Sequence, residues 1–274
     1  MLRNLILTLL LTITISASAA LPITERNYLY EDSLIWARYD SIGTQVWKEI
    51  EQNPAKKDSL MAINHEAFLN SLEENISTAI RYAAVPSGIR RVYMVRNDVP
   101  KDTLTSLLTI VPDSIRSSFY GKLVKRHIDT HQLAVGDSIA TFPCSYPDGT
   151  PFNWNLTSGK NVLIVYSGYK CMGKGGRQAL IDLYSSTSRD DLEIVHYWIE
   201  PANQKEFQND FASSGFLFPV VTDYLRDATP IKIIYGCQAM PTYYFFDRSH
   251  RLLYKGIPGE FPWETMEQHL GLKK

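Results

Sequence analysis

The chain has 274 residues, of which 28 are basic and 29 are acidic, so its formal net charge is −1 at pH 7. This balance gives no electrostatic attraction to nucleic acid or to an acidic surface, and we expect no nucleic-acid partner. Hydrophobic residues make up 45% of the chain, which is typical of a packed globular protein with one large or two ordinary domains. The three cysteines permit at most one internal disulfide and leave at least one thiol free.

The first twenty residues have the pattern of a secretory signal peptide. Arg3 precedes the apolar run Leu5–Ile15, and the small residues of Ser16–Ala20 suit cleavage by signal peptidase. The apolar run is too short to span a bilayer, and polar sequence follows it. We therefore expect a signal peptide at residues 1–20, a periplasmic or secreted protein, and no membrane anchor after cleavage.

Between residues 21 and 132 apolar side chains recur every three or four positions, as they do on one face of an α-helix. Breaks that contain proline fall at residues 53–54, 86–88 and 99–100. Proline removes a backbone donor and disfavours helix in the residue before it. The pattern predicts an all-α region at residues 21–132 with three to five helices.

Two histidines near the end of this region, His127 and His131, are four residues apart and would share one face of a helix. Zinc sites need further ligands, and no acidic or cysteine partner accompanies these two at helical spacing. We expect a solvated helix end here and no metal site.

After residue 132 the pattern becomes that of an α/β domain at residues 133–274. An Asp-Gly turn at residues 148–149, followed by alternating apolar residues, predicts two short strands. The apolar run Val162–Tyr166 predicts a central strand that is covered on both faces. Predicted helices alternate with later strands, which favours a sheet with right-handed crossovers. The later strands are expected at Leu192–Ile199, Phe218–Thr222, Thr242–Asp247 and Leu252–Tyr254, and the helices at about 175–187 and 203–213.

Cys171 lies between the predicted central strand and the helix that follows, where unpaired amides and the helix dipole favour a thiolate. Lys170, Lys174 and Arg177 add positive charge within one turn, so we expect the pKa of Cys171 to be below that of a free cysteine. Such a thiol is a nucleophile toward disulfides. The alternative is a buried Cys171 that serves only as a small apolar residue.

Short motifs follow one another in a characteristic order after residue 132. They are Val135–Gly136–Asp137, the turn Pro147–Asp148–Gly149, Gly159–Lys160 before the apolar strand, Cys171 at a strand-to-helix turn, Tyr235–Thr242, and Phe246–Asp247. This order resembles the TlpA/ResA-like (AhpC/TSA-type) branch of the thioredoxin superfamily, and the resemblance covers about residues 133–274. The helices before it are similar to segments that often precede such domains in envelope proteins of Bacteroidetes. The resemblance implies a thioredoxin-like fold, with a central mixed sheet and flanking helices, preceded by the all-α region.

The resemblance also implies roles for individual residues. Cys171 would be the attacking cysteine, and Met240–Pro241 would form a cis peptide bond that faces it. The second cysteine of the family's Cys-x-x-Cys motif is Lys174 in this chain, and the family's tryptophan before the first cysteine is Lys170. Cys171, Pro241 and Lys174 are therefore the expected catalytic positions, and the resolving thiol is missing.

Further residues are expected around this position. Glu200, at the end of a predicted strand, is a candidate acid or base, and His196 in the same strand is expected in the core. Cys144 or Cys237 could pair with Cys171 only if the Cα atoms lie within about 7 Å, which the sequence does not decide. We expect no metal and no cofactor. The residues expected to shape a substrate groove are Tyr169, Lys170, Met240 and Thr242.

The expected function is thiol-disulfide exchange as a monothiol, which indicates a degenerate thiol-disulfide oxidoreductase or isomerase. The expected partners are protein thiols or disulfides, or a low-molecular-weight thiol. The alternative is a redox-inactive thioredoxin-like binding or scaffold protein of the cell envelope. A peroxiredoxin is disfavoured because Gly168 and Ile164 occupy its threonine and proline positions. A nucleotide-binding loop is disfavoured because Gly175 stands where a hydroxyl would bind magnesium.

Overall fold

The computed structural model describes residues 21–169, 171–256 and 260–271, so the expected signal peptide lies outside the described residues. The chain divides into two compact units. One contains the residues up to Val92 together with Val111–Ile115, and the other contains Tyr93–Ile110 together with Arg116 and the residues after it. The expected domain boundary between residues 132 and 133 stays a prediction. Among the described helices, none is long and apolar enough to cross a membrane.

Residues 21–132 are all described, and they form six α-helices rather than three to five. The stretch after residue 100, in which the pattern predicts no further break, is interrupted twice. Pro112 precedes one new helix, and Ser118 caps another by accepting a hydrogen bond from the Gly121 amide at 3.2 Å. The helices are α1 (Glu25–Gln52), α2 (Lys57–Arg81), α3 (Pro86–Met94), α4 (Lys101–Ile110), α5 (Asp113–Arg116) and α6 (Phe119–Asp129), with 3-10 turns at Pro54–Lys56 and Arg96–Asp98.

In the first unit α1 and α2 pack against each other as an antiparallel pair. Thr24 caps α1 by accepting a hydrogen bond from the Asn27 amide. Their contacts run in opposite chain directions: Asn75 donates to Asp32 at 2.6 Å, while Asn64 donates to the Tyr39 hydroxyl at 3.4 Å. The Asn75 side chain is fully buried, so its hydrogen bond replaces the water that it loses.

The second unit holds a five-stranded mixed sheet in the order β3-β2-β1-β4-β5. β1 pairs in parallel with β2 and antiparallel with β4, β2 pairs in parallel with β3, and β4 pairs antiparallel with β5. The strands are β1 (Asn161–Ser167), β2 (Leu192–Trp198), β3 (Val220–Val221), β4 (Thr242–Phe246) and β5 (Leu252–Gly256). The helices between and after them are α7 (Gly173–Ser186), α8 (Gln204–Ala212), α9 (Pro230–Ile233) and α10 (Trp263–Leu270).

The central strand β1 is buried along its whole length, as its apolar run predicts. Because successive side chains of a strand point to opposite faces, β1 contributes to two separate cores. Val162, Ile164 and Tyr166 pack in one core, and Leu163 and Val165 pack in the other. This mixed sheet with flanking helices, which follows a helical region, confirms the predicted thioredoxin-like fold class.

The predicted pair of strands around the Asp-Gly turn is wrong in its extent. Only an isolated bridge between Ser145 and Pro151 forms there, and Trp154–Thr157 is a 3-10 helix instead of a strand. Asn153 favours the helix because its side chain accepts a hydrogen bond from the Asn155 amide. The turn itself forms as expected, with Gly149 at a φ of 86°, a conformation that glycine adopts readily.

Candidate thiol site at the carboxyl edge of the sheet

Cys171 lies in the short connection between β1 and α7, and its side chain is exposed. The alternative of a buried, purely structural Cys171 is therefore wrong. The first helical residue is Gly173, whose φ is 62°, and Met172 holds the N-cap position without a side-chain cap. Cys171 thus precedes the cap, and its own amide donates to the Gly168 carbonyl at 3.2 Å.

The group nearest to the sulfur is a carboxylate. Sγ of Cys171 donates a hydrogen bond to Oε1 of Glu200 at 3.5 Å. Glu200 follows β2, and Cys171 follows β1, which is the parallel neighbour of β2. The carboxyl ends of adjacent parallel strands lie at the same edge of a sheet, so this topology brings the two side chains together.

Gly168 makes room for this contact. A Cβ atom at residue 168 would lie 2.1 Å from Cδ and Oε1 of Glu200, which is closer than the carboxyl group can tolerate. The absence of a side chain at residue 168 therefore lets Glu200 reach the thiol. In the sequence, the only indication of this contact is a glycine directly after a predicted buried strand. The strand register is needed to show that the Glu200 side chain fills the space beside it.

The electrostatic surroundings raise the pKa of Cys171, so the expectation of a lowered pKa is wrong. Partial burial is the largest cause, followed by the negative charge and the hydrogen bond of Glu200, while a hydrogen bond between the thiol and the Gly168 backbone opposes them. Arg177, expected to favour the thiolate, instead donates to the Tyr169 carbonyl at 3.1 Å and lies 4.7 Å from the centre of the Tyr169 ring. Lys174 is exposed on the first turn of α7.

The segment before β4 reaches the same edge of the sheet. The antiparallel register pairs Thr242 with Tyr166, so Pro241 lies beside the end of β1, from which the chain continues to Cys171. The Met240–Pro241 peptide bond is cis. Met240 is 38% exposed, whereas Thr242 is buried and donates to the Ala239 carbonyl at 2.7 Å. Met240 is thus accessible to a partner, and the Thr242 side chain holds the turn.

Tyr169 joins the loop that carries Cys171 to its surroundings. Its hydroxyl donates to the Ser213 carbonyl at 3.0 Å, and its ring lies 5.4 Å from that of Trp198. Ser213 is the C-cap residue of α8, so Tyr169 ties the connection after β1 to the end of that helix. Its expected part in a substrate groove stays a prediction, and Lys170 lies outside the described residues.

The other two cysteines are buried, and all three thiols are unpaired. Burial raises the pKa of Cys144 to about 12 and raises that of Cys237 as well. Cys237 packs behind the turn before β4, where its Sγ donates to the Ala239 carbonyl at 3.5 Å. Cys171 is therefore the accessible thiol of the described chain.

The histidines have separate environments. His127 is buried on α6, while Nε2 of the exposed His131 contacts Asp137 at 2.8 Å. No group of three or more side chains suited to hold a metal ion occurs within residues 21–169, 171–256 and 260–271. His196 lies in the core, where it accepts a hydrogen bond from the Trp198 indole at 3.2 Å.

No protein-family model and no curated protein matches the chain. Several solved structures are similar to part of it. A thiol-disulfide oxidoreductase from Bacteroides fragilis is 12% identical at a TM-score of 0.43, with 48% of this chain and 98% of that one covered. The thioredoxin domain of a thiol-disulfide oxidoreductase from Bacteroides vulgatus is 16% identical at 0.44, with 51% and 99% covered. A thiol-disulfide isomerase from Corynebacterium glutamicum is 13% identical at 0.43, with 50% and 98% covered. A likeness at this level assigns neither a family nor an activity to the chain.

Proposed function

We propose that this chain takes part in thiol-disulfide exchange as a monothiol, with Cys171 as the nucleophile and Glu200 as its proton acceptor. The observation that carries the proposal is an exposed thiol that donates a hydrogen bond to a carboxylate at 3.5 Å. A general base must lie within reach of the proton that it accepts, and this contact meets that requirement for a sulfur donor. The resemblance to TlpA/ResA-like proteins supports the attacking role of Cys171 and implies that Pro241 faces it.

The proposed reaction has two steps. The Cys171 proton moves to the Glu200 carboxylate, and the thiolate attacks one sulfur of a partner's disulfide. A mixed disulfide forms, and the second partner sulfur leaves as a thiolate that takes the proton from Glu200. Lys174 cannot act as a resolving thiol, so a protein thiol or a low-molecular-weight thiol attacks the mixed disulfide and restores Cys171. The exposed Met240 and the neighbouring Thr242 backbone would border the bound partner.

One experiment tests this function. The folded protein is treated with glutathione disulfide, and mixed disulfides are mapped by mass spectrometry in the wild type and in Cys171→Ser. We expect one adduct on Cys171 and none on the buried Cys144 and Cys237, which serve as internal controls until the protein is denatured. Addition of free glutathione should release the adduct. An unreactive Cys171 in the folded wild type would overturn the proposal.

A second candidate function is a redox-inactive binding or scaffold protein of the cell envelope. Two observations favour it: the raised pKa of Cys171, which keeps the sulfur protonated at neutral pH, and the lysine at residue 174. The glutathione experiment distinguishes the two functions. An adduct on Cys171 that free glutathione releases supports exchange, and an unreactive Cys171 supports the scaffold function.

Export through a cleaved signal peptide at residues 1–20 is part of the proposal. The residues Arg3 to Ala20 support it through their charge, apolar run and small-residue end. Amino-terminal sequencing of the protein from a periplasmic fraction tests it. A mature chain that begins close to residue 21 is expected, and an intact first residue in the cytoplasm would contradict it.

A further inference from the structure

A cavity of ≈ 490 Å³ lies in the second unit, and it shares Thr242 with the surroundings of the thiol site. Its walls come from the segment Arg96–Lys101, from the turn before β4 and from the end of β5, and neither Cys171 nor Glu200 belongs to them. Cavities of this size hold small organic ligands.

Cationic side chains outnumber carboxylates in this cavity. Arg96, Lys101 and Lys255 line it, against the single carboxylate of Asp98, which accepts a hydrogen bond from the Gln238 amide at 2.7 Å. Lys101 uses one of its three donors on the Thr130 carbonyl at 2.6 Å. Within the described part of the chain, the Lys255 ammonium makes no hydrogen bond and no ion pair and only faces the Tyr244 ring at 5.9 Å.

Arg96 is the unusual member of this set because it is 99% buried and has no carboxylate partner among the described residues. Its guanidinium donates to the carbonyl groups of Tyr93, Lys232 and Cys237 at 2.6 to 2.8 Å. Nε of Arg96 has no hydrogen-bond partner among residues 21–169, 171–256 and 260–271, and neither has Nδ1 of the buried His127, which also lines the cavity. A buried charge without a counter-ion is costly, and a bound anion would offset that cost.

We propose that this cavity binds a small organic anion through a carboxylate or phosphate group. Lys255 and Lys101 contact the anionic group, and Arg96 supplies a fixed positive charge behind it. Arg96 cannot leave the cavity because three backbone carbonyl groups hold it, so its field is preorganised.

Proton behaviour in the cavity agrees with this proposal. Burial, Arg96 and Lys101 together lower the pKa of His127 to about 4, and incomplete hydration and Arg96 lower the pKa of Lys255. Burial is the largest cause of both shifts, and the positive charge of Arg96 adds to each of them. A bound anion would offset the positive charge of Arg96 and Lys101 and therefore raise the pKa of His127.

The experiment measures anion binding by calorimetry to the full-length protein, with succinate as the carboxylate probe, glycerol 3-phosphate as the phosphate probe and glycerol as the neutral control. The variants are Lys255→Met, Lys101→Met and the matched control Lys205→Met, an exposed lysine on α8 outside the cavity. We expect saturable binding of at least one anion, weaker by about tenfold in each cavity variant and within about twofold of wild type in Lys205→Met. The anion that binds identifies which of the two groups the cavity prefers.

A second readout uses the wild type alone. Nuclear magnetic resonance of the His127 ring, followed as a function of pH, should show a higher pKa with the bound anion than without it. No saturable binding of either anion, equal affinity in Lys255→Met and Lys205→Met, binding of glycerol as tight as that of the anions, or an unchanged His127 titration would each overturn the proposal. If one cavity variant does not fold, the other variant and the wild-type His127 titration decide.

Discussion

At the scale of single residues, the reactivity of Cys171 depends on its partial burial, on the Glu200 carboxylate and on the backbone of Gly168. Partial burial raises the pKa of the thiol most, the negative charge and the hydrogen bond of Glu200 raise it further, and a hydrogen bond with the Gly168 backbone lowers it. The thiol is thus accessible but mostly protonated at neutral pH. A neighbouring base can compensate for this, because it takes up the proton at the moment of attack.

Substitution of Glu200 tests this balance. In Glu200→Gln the negative charge next to the sulfur is lost, so we expect the pKa of Cys171 to fall and alkylation by iodoacetamide to begin at lower pH. Rates measured across a pH series give the midpoint. If Glu200 is also the proton acceptor, exchange with glutathione disulfide should slow relative to alkylation.

Two further variants complete that comparison. Gly168→Ala keeps the charge of Glu200 but displaces its carboxyl group, since a Cβ at residue 168 would lie 2.1 Å from it. The midpoint of the alkylation profile should therefore move to lower pH, by less than in Glu200→Gln. Glu264→Gln removes an exposed charge from α10 and is the matched control. A Glu200→Gln profile that coincides with that of Glu264→Gln would show that this carboxylate does not govern the thiol.

The missing resolving thiol can be restored. Lys174→Cys recreates a Cys-x-x-Cys motif at the start of α7, so that a mixed disulfide on Cys171 can be released within the chain. We expect insulin reduction with dithiothreitol to rise several-fold over wild type. Lys174→Ser is the control, because it removes the lysine without adding a thiol. No gain in a folded Lys174→Cys protein would argue against an exchange site at Cys171.

At the scale of secondary structure elements, β1 positions the site. It is the central strand, it is buried on both faces, and its carboxyl end leads to Cys171. Leu163→Ala should lower the free energy of unfolding by about 2 to 5 kcal/mol, because it removes a fully buried side chain and leaves a cavity. Denaturation by urea, followed by circular dichroism, measures the change.

The matched control for this variant is Leu217→Ala. Leu217 is 76% exposed, so the same chemical change should cost less than about 0.5 kcal/mol. Equal losses for the two variants would contradict the assignment of β1 as the centre of the core.

The elements also show how far the sequence predicts this molecule. The apolar run that forms β1 and the alternation of later strands with helices are sufficient to predict the fold class. An apolar strand that is covered on both faces is compatible with few kinds of sheet. The 3-10 helix at Trp154–Thr157 was missed, because an Asn153 cap outweighs an alternating apolar pattern over so few residues. Local hydrogen bonds of this kind are weak signals in a sequence.

Prediction of the site was limited for a different reason. Sequence distance placed Lys174 and Arg177 near Cys171, but Arg177 pairs with Tyr169, whereas Glu200, 29 residues from Cys171, contacts the sulfur. The pKa of a group depends on contacts through space, and these follow from strand register. The same limit applies to Arg96, whose partners Lys232 and Cys237 are more than a hundred positions away.

At the scale of the whole molecule, buried titratable groups couple stability to pH. His196 is fully buried among aromatic rings, and burial lowers its pKa to about 3. Since the Trp198 indole can only donate, Nδ1 of His196 accepts its hydrogen bond, and the ring proton is on Nε2, which has no partner within the described residues. Protonation of His196 would therefore place an unpaired charge in the core.

The sign of the effect follows from the two pKa values. The unfolded chain takes up a proton on His196 near its ordinary pKa of 6.5, while the folded chain does not until about pH 3. The free energy of unfolding should thus fall as pH decreases below about 6.5, by roughly 1 kcal/mol per pH unit for this one group. His127, with a pKa lowered to about 4, adds a contribution of the same sign. Urea denaturation between about pH 7 and pH 5, above the range in which most carboxylates titrate, measures the slope.

His196→Asn isolates the contribution of this residue. Asparagine retains an acceptor for the Trp198 indole and cannot take up a proton. The free energy of unfolding of this variant should therefore depend less steeply on pH than that of wild type, and the remaining slope should include the contribution of His127. Leu217→Ala is the control, because it changes an exposed residue and removes no titratable group, and its slope should equal that of wild type. A slope for His196→Asn that matches the wild type would mean that the folded chain protonates His196 as readily as the unfolded chain does. The core around Trp198 would then have to accommodate a charge, which a fully buried ring with a partnerless Nε2 could do only by opening that part of the sheet to water.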